Sequence, residues 1–386
     1  MNTTTNDIAA PAPASAADRA AARLVLDRAV AGGGVPGILT EIADEGGTWV
    51  ATAGVADTTT GRERLPHDRF RIGSTTKTFT ATVVLQLVAE GRLDLDDPVE
   101  ALLPDLVRGA DRDARGITVR QLLNHTSGLF DYVHDPVIVG RSMGEPFLRH
   151  RFDVYRPEEL VGLALAHPPH FAPGERFGYS NTNYFLAGMI IERVTGAPLA
   201  DAFAERIARP LGLTATYLPR AGESVIEGPH GRHYSKLMLP EPDATVHDVT
   251  ELDPSWGWAA GGAVSTTGDL LRFFTALLAG RLLPPAQQAQ MFTTVTTEQW
   301  IPDTAYGLGV ASVSLPGGVT VWGMGGAING SWTYTFGSRD GARMVSVNAN
   351  GDWNFPIAAF TELLQAEFAP EPAPGSAPGS AASPMA

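Results

Sequence analysis

Residues 70–91 read FRIGSTTKTFTATVVLQLVAEG. Val83, Val84, Leu87 and Val88 recur at the three- and four-residue spacing of a helix with a buried face, and Gly91 stands where helices end on a left-handed residue. The polar, glycine-marked approach places Ser74 at the N-terminus of that helix. Residues three apart on a helix are neighbours, so Lys77 lies one turn beyond Ser74 on the same face. A serine hydroxyl becomes a nucleophile when a neighbour takes its proton, and a lysine does this only if its pKa falls from about 10.4. Burial and the positive end of a helix both push it that way. The same four residues also fit an N-cap serine followed by a snorkelling surface lysine. Composition favours the first reading: of 28 lysines and arginines, only Lys77 and Lys236 are lysines. A lysine kept in an apolar helix of so arginine-biased a chain points to an amine that must deprotonate, which arginine cannot do.

With 386 residues, 44% hydrophobic and 18% charged, the chain supports a large core and two lobes. A net charge of -14 argues against nucleic acid or an anionic membrane surface as partner. The absence of cysteine excludes disulfides, thiolate zinc sites and a cysteine nucleophile. The first thirty residues lack the basic and apolar regions of a secretory signal, and no run reaches the ~18 apolar residues of a membrane span. The expected location is therefore cytoplasmic. Residues 1–14 and 370–386, rich in Ala, Pro, Ser, Gly and Thr, are expected to be disordered tails.

Between the tails, Ser15 is positioned to cap a helix over 15–30, and residues 37–56 read as a hairpin turning at Glu45, Gly46 and Gly47. Residues 91–253 read as mostly helical, with one helix over 157–167. Beyond them, 269–278 and a segment from Pro284 have helical period. Residues 306–313, 319–322, 331–336 and 343–348 alternate as strands, with Asp340 and Gly341 turning the last pair and Trp332, Tyr334 and Phe336 on one sheet face. Residues 356–368 close the chain as a helix. The expected fold is α/β of the α+β kind. Residues 15–73 and 254–369 form one discontinuous lobe around an antiparallel sheet, and 74–253 form a mostly helical lobe. Ser74 falls at the seam, where pockets form.

Three further strings bear on chemistry. In PGERFGYSNTN (173–183), Tyr179 and Asn181 are two apart, so an extended segment points both the same way. A phenol near a lysine can relay protons, and an amide can orient that lysine and hold a substrate carbonyl. A polar turn before a helix starting near Asn183 is the alternative. In WGMGGAINGS (322–331), a glycine cluster between two strands permits close backbone approach, so the amide of Ala327 with that of Ser74 could form an oxyanion hole. A plain glycine-rich hairpin has the same composition. In NHTSGL (124–129), His125 has no GxSxG serine and no marked acid partner, so it reads as a hydrogen-bonded structural histidine. His230 and His233 lack a carboxylate cluster at ligand spacing, so no metal is expected. No phosphate-binding glycine motif occurs, and no cofactor is implied.

Ser74-xx-Lys77, Tyr179-x-Asn181 and the glycine-rich element at Met324 resemble the three motifs of the penicillin-recognising serine hydrolases. RIGSTTKTFTA, LLNHTSGL, PGERFGYSNTNYFLAGMIIE and YGLGV narrow the resemblance to the branch of DD-carboxypeptidases, class C beta-lactamases, esterases and D-aminopeptidases, over about residues 20–368. The resemblance implies an antiparallel sheet with terminal helices plus a helical lobe. It also implies an acyl-Ser74 intermediate, acid-base work shared by Lys77 and Tyr179 with the base left open between them, and Asn181 on the substrate amide. Trp256 falls where family members place an aromatic over the pocket.

The departures bear on the substrate. The third motif of peptidases and beta-lactamases opens on Lys or His, whereas Met324, Gly325 and Gly326 stand here. The arginine and threonine that grip a substrate carboxylate in related carboxypeptidases correspond to Ala311 and Ala327. Each missing charge-assisted bond is worth about 1.5–3 kcal/mol, so a free D-Ala carboxylate is not the expected substrate. What remains is a hydrolase or acyltransferase taking a small-molecule or peptidyl acyl substrate: an ester, thioester or uncharged amide. A DD-carboxypeptidase or D-aminopeptidase, and a non-catalytic ligand-binding relative, are the alternatives.

Overall fold

A computed structural model describes residues 19–107, 116–239, 241, 243–298, 300–354 and 356–368. The β-branched alternation after Gly37 gives two antiparallel strands, β1 (Gly37–Asp44) and β2 (Gly47–Gly54), closed by the Asp44–Gly47 pair. Six more strands come from the far end of the chain: β3 (Val295–Thr296), β4 (Thr304–Tyr306), β5 (Ala311–Ser314), β6 (Thr320–Ile328), β7 (Ser331–Gly337) and β8 (Met344–Ala349). They form one antiparallel sheet in the order β2-β1-β8-β7-β6-β5-β4-β3. The N-terminal hairpin is joined to the last strand, with Ile38 opposite Ala349 and Ala43 opposite Met344. The two ends of the chain thus build one sheet, as expected.

Helices cover both faces. Helices α1 (Ala20–Val30) and α5 (Ile357–Phe368) pack together over one face, where Tyr334 and Phe360 bring their rings to 4.9 Å. Helix α4 (Thr267–Leu278) covers the other, and Thr267 donates a 2.6 Å hydrogen bond to the buried Glu41 of β1. Helices α2 (Thr76–Ala89) and α3 (Asn181–Thr195) pack on each other in the part of the chain between the sheet's two halves. Every side chain of α2 from Thr76 to Leu85 is buried, although four of them are threonines. Burial is tolerated because the hydroxyls are satisfied: Thr78 donates to Gly309 O (2.6 Å), Thr80 to Ala259 O (2.7 Å) and Thr82 to Thr78 O (2.7 Å). Among the described residues no helix is long and apolar enough to cross a membrane.

Three expectations change. Residues 306–313 are not one strand: the chain leaves β4 after Tyr306 and starts β5 at Ala311. The intervening loop bends at Gly309 (φ +78°), where a Cβ would fall 2.4 Å from Ala81 and 3.1 Å from Lys77 O. The loop is pressed onto the nucleophile's helix, and glycine makes room for the contact. Second, the cluster at 323–326 is not a turn; β6 runs through it to Ile328, and the chain reverses at Asn329 and Gly330. Third, the short β3 strand was not foreseen. Helix α1 starts at Ala20, and Ser15 lies outside the described residues, as do residues 1–14 and 370–386.

Candidate active site

Ser74 is held by a short turn between a strand and a helix. Phe70 and Arg71 pair with Ser265 and Val264, a 3₁₀ turn over Gly73–Thr75 follows, and α2 begins at Thr76. Thr76 Oγ1 fixes the turn, donating to Gly73 O (2.7 Å) and accepting from Ala263 N (3.1 Å). Strand β6 passes directly against it. A Cβ on Gly73 (φ +51°) would sit 2.6 Å from Ala327 N, and one on Gly326 would sit 2.0 Å from Ile72 O and 2.6 Å from Ser74 N. Two glycines therefore let two backbones touch, and Ser74 and Ala327 both border the cleft beside that contact.

Lys77 is fully buried behind the serine. Its Nζ lies 3.1 Å from Ser74 Oγ, 2.6 Å from Asn181 Oδ1 and 2.8 Å from Ala260 O. Burial lowers its pKa from 10.5 to about 7, against the opposing pull of Asp131. A neutral amine has two hydrogens and one lone pair. The two acceptor-only oxygens of Asn181 and Ala260 suit the hydrogens, which leaves the lone pair for the Ser74 hydroxyl. The phenol of Tyr179 is pushed well above its ordinary range, first by burial and then by Tyr306, with a hydrogen bond from Ser74 opposing. At neutral pH Tyr179 is a phenol, and Lys77 is the neighbour of Ser74 that titrates there.

Asn181 opens α3 and links two titratable side chains: Oδ1 faces Lys77, and Nδ2 donates 2.9 Å to Asp131 Oδ2. Asp131 is itself buried at the start of a 3₁₀ turn, where it accepts from Val133 N at 3.3 Å. Burial raises its pKa, while bonds from Asn181 and Val133 and the charge of Lys77 pull it back. The sequence reading missed Asp131, because an aspartate capping a short turn looks like any other. His125 fits its structural reading. Its Nδ1 accepts from Ser180 N (3.2 Å) and Asn183 Nδ2 (3.1 Å), and its ring packs 4.3 Å from that of Tyr179. Burial holds it neutral, with the positive side of Lys77 adding to the effect.

A cavity of about 340 Å³ runs from Ser74 and Tyr179 along Met324, Gly325, Gly326 and Ala327. It reaches Trp332, Tyr334 and Phe336 of β7 and Leu364 of α5. Tyr334 lies across Gly325, where a Cβ would meet the ring at 2.7 Å. Ala311 also borders the cavity, and no described residue lining it is Lys, Arg or His. Trp256 does not line it. It borders a separate, smaller cavity with Phe147 and Tyr155, and its carbonyl accepts from the Tyr132 hydroxyl. The aromatic over this site is Trp300, between β3 and β4, stacked on Tyr179 at 5.5 Å and 13°. The sequence places Trp300 in a polar stretch without periodicity, so nothing local marks it.

Residues 22–367 match the family described as Beta-lactamase. The chain belongs to the beta-lactamase family. A D-stereospecific amidohydrolase from Streptomyces sp. is 47% identical, with a TM-score of 0.84 over 91% of this chain and 98% of that one. A D-amino acid amidase from Ochrobactrum anthropi SV3, in complex with L-phenylalanine amide, is 28% identical, with a TM-score of 0.78 over 91% of this chain and 98% of its own. An unguisins hydrolase of Aspergillus campestris is 29% identical over 305 residues, 76% of this chain and 54% of that protein. The chain thus spans about half the length of this curated relative. Among beta-lactamase-family proteins, it keeps the serine-hydrolase scaffold and the penicillin-recogniser resemblance read from its motifs.

Proposed function

We propose that this protein hydrolyses an uncharged amide or ester of an aromatic or similarly apolar acyl group through an acyl-Ser74 intermediate. The observation that carries this reading is the cavity beside Ser74, walled by aromatic rings and bordered by no cationic side chain among the described residues. Such a wall desolvates an apolar side chain favourably and gives a substrate carboxylate no partner.

In the proposed reaction Lys77 Nζ accepts the Ser74 proton as Oγ attacks the carbonyl carbon, and the oxyanion points at the amides of Ser74 and Ala327. The carbon–nitrogen or carbon–oxygen bond breaks as the leaving group takes the proton held by Lys77, directly or through the Tyr179 hydroxyl, which Lys77 reprotonates. Water then attacks the acyl-serine, giving a proton to the neutral Lys77, which returns it to Ser74 Oγ as the acyl–oxygen bond breaks and the acid leaves. Asn181 orients Lys77 throughout. The likeness to a D-stereospecific amidohydrolase and a D-amino acid amidase supports amides of D-configured amino acids as the first substrates to try. It favours hydrolysis over the acyl transfer that the sequence left open.

Intact-protein mass spectrometry after brief exposure to an aryl ester, a D-phenylalanine amide and a penicillin tests this reading, with Ser74→Ala as control. The expected result is Ser74-dependent turnover of the ester and the amide and no long-lived penicillin adduct. Turnover that survives Ser74→Ala would overturn the mechanism.

A further inference from the structure

The segment that carries Tyr179 is held on both sides by one residue. Gly178 N donates to His125 O (2.8 Å) and Ser180 N donates to His125 Nδ1 (3.2 Å), and the imidazole packs on the phenol ring between them at 4.3 Å. His125 makes these contacts from the left-handed region at φ +59°, a conformation that a residue other than glycine keeps where its surroundings demand it. The hydrogen bonds also fix its tautomer. Leu129 N donates to Ser127 Oγ (3.1 Å) and that hydroxyl donates to Asn183 Oδ1 (2.6 Å), so Asn183 turns Nδ2 toward His125 Nδ1 (3.1 Å). Nδ1 thus accepts from two N–H groups and carries no proton, which leaves the ring proton on Nε2. Nε2 is buried with no hydrogen-bond partner among the described residues, and the rings of Tyr179, Tyr306, Tyr184 and Phe177 lie 4.3–5.9 Å from the imidazole.

An imidazole with one nitrogen engaged and the other enclosed by rings transfers no proton itself. What it sets is where the phenol stands. The Tyr179 ring lies 4.9 Å from Lys77 Nζ and lines the cleft with Ser74, and a proton relay works only within hydrogen-bond reach. We propose that His125 is a positioning residue, its neutral imidazole and its carbonyl together holding the Tyr179 hydroxyl on the proton path between Lys77 and the leaving group. This rests on the acyl-Ser74 reading above and deepens it by assigning departure of the leaving group to the path through the phenol. In that step Tyr179 Oη gives its proton to the leaving nitrogen as the carbon–nitrogen bond breaks and takes one from protonated Lys77. The phenol ends unchanged and Lys77 ends neutral.

The test is a double-mutant cycle on the full chain, read as the single-turnover rate of Ser74 acylation by D-phenylalanine amide and by the p-nitrophenyl ester of D-phenylalanine. The amide needs a proton on its leaving group, and p-nitrophenolate departs without one. His125→Gly tolerates the left-handed backbone and removes the imidazole, whereas His125→Asn tolerates it and returns an acceptor oxygen near the place of Nδ1. His125→Gly is expected to slow acylation by the amide about 100-fold, the scale of a displacement of about 1 Å, and acylation by the ester far less. In a Tyr179→Phe background the same substitution is expected to change the amide rate less than about threefold, because the hydroxyl that His125 positions is gone. His125→Asn is expected to recover most of the loss. Equal losses in the two backgrounds, equal losses for amide and ester, or no recovery in a folded His125→Asn overturn the role of His125 while the acyl-serine reading stands. Where His125→Gly does not fold, the wild type decides: a long-range ¹H–¹⁵N spectrum is expected to show the proton on Nε2, and a proton on Nδ1 overturns the clamp. If neither substrate acylates Ser74, the underlying reading fails and this one with it.

Discussion

Asp131 Oδ2 accepts a 2.9 Å hydrogen bond from Asn181 Nδ2, which leaves Asn181 Oδ1 to face Lys77 at 2.6 Å. The carboxylate thereby decides which end of the amide the lysine meets, and its charge acts on the lysine as well. The two effects separate by substitution. Asp131→Asn can keep the hydrogen bond but loses the charge that raises the Lys77 pKa, so the acid limb of the kcat/KM profile should move to lower pH. Asp131→Ala loses both and should lower kcat about 10- to 100-fold, the scale of a lost orienting partner. A pH–rate profile of both variants checks this, and unmoved limbs would remove Asp131 from the mechanism.

The base is expected to work only when neutral. Since burial brings Lys77 to about 7, kcat/KM should rise with pH through an apparent pKa near that value, and Lys77→Arg, which stays charged, should be inactive. Folding carries the matching signature. A lysine that folds with a lowered pKa binds fewer protons folded than unfolded between about 7 and 10.5, so its burial cost is full below that window and fades as pH climbs through it. Lys77→Met should melt above the wild type at pH 6, and the gap should narrow toward pH 10. A gap that widens with pH would contradict a depressed pKa.

Gly326→Ala tests the contact between strand and nucleophile. Its Cβ would enter at 2.0 Å from Ile72 O and 2.6 Å from Ser74 N, against backbone that has nowhere to yield, so β6 must retreat and carry the Ala327 amide with it. Removing one oxyanion donor costs about 10²–10³ in kcat, and that loss is expected with KM changed far less. Steady-state kinetics at a temperature where the variant's melt is intact measures it.

Ala311 is where a cation can be restored. It borders the cavity one strand from Met324, opposite Gly323. Ala311→Arg is expected to raise the rate of penicillin acylation at Ser74 at least tenfold, the lower end for one charge-assisted bond. Time-resolved mass spectrometry reads that rate. A correctly folded Ala311→Arg that stays inert to penicillin would remove the missing cation as the reason for selectivity.

The parts of the site that the sequence made legible are those whose signal is local. Ser74 and Lys77 share one helical turn in one apolar run, and Tyr179 and Asn181 lie two apart in one string. Asp131 and Trp300 act across gaps of 50 and 121 positions to Asn181 and Tyr179, and no periodicity reports such a meeting. The close backbone approach that the 322–331 glycines permit was legible; that β6 runs through them, and that Gly309 interrupts the strand expected over 306–313, was not. Gly326 and Gly309 are small so that β6 and the 307–310 loop can touch the nucleophile's turn and helix, a demand set by tertiary approach. Trp256 was placed by its likeness in position alone, and the ring that covers the site reaches it from a different connection.

Helix α2 is clasped by late parts of the chain. Lys77 bonds partners 104 and 183 positions away, Thr78 one 231 away, and the residue preceding Ile72 receives Ser331 from 260 positions on. On a ribosome, Ser74 emerges long before any of these. A nascent chain therefore exposes an ordinary serine beside an ordinary charged lysine, and reactivity arrives only when the final strands dock. Such long-range closure is slow to form, but on the proposed mechanism it also means that a truncated or half-folded chain carries no activated nucleophile, so that chemistry is licensed by completion of the fold.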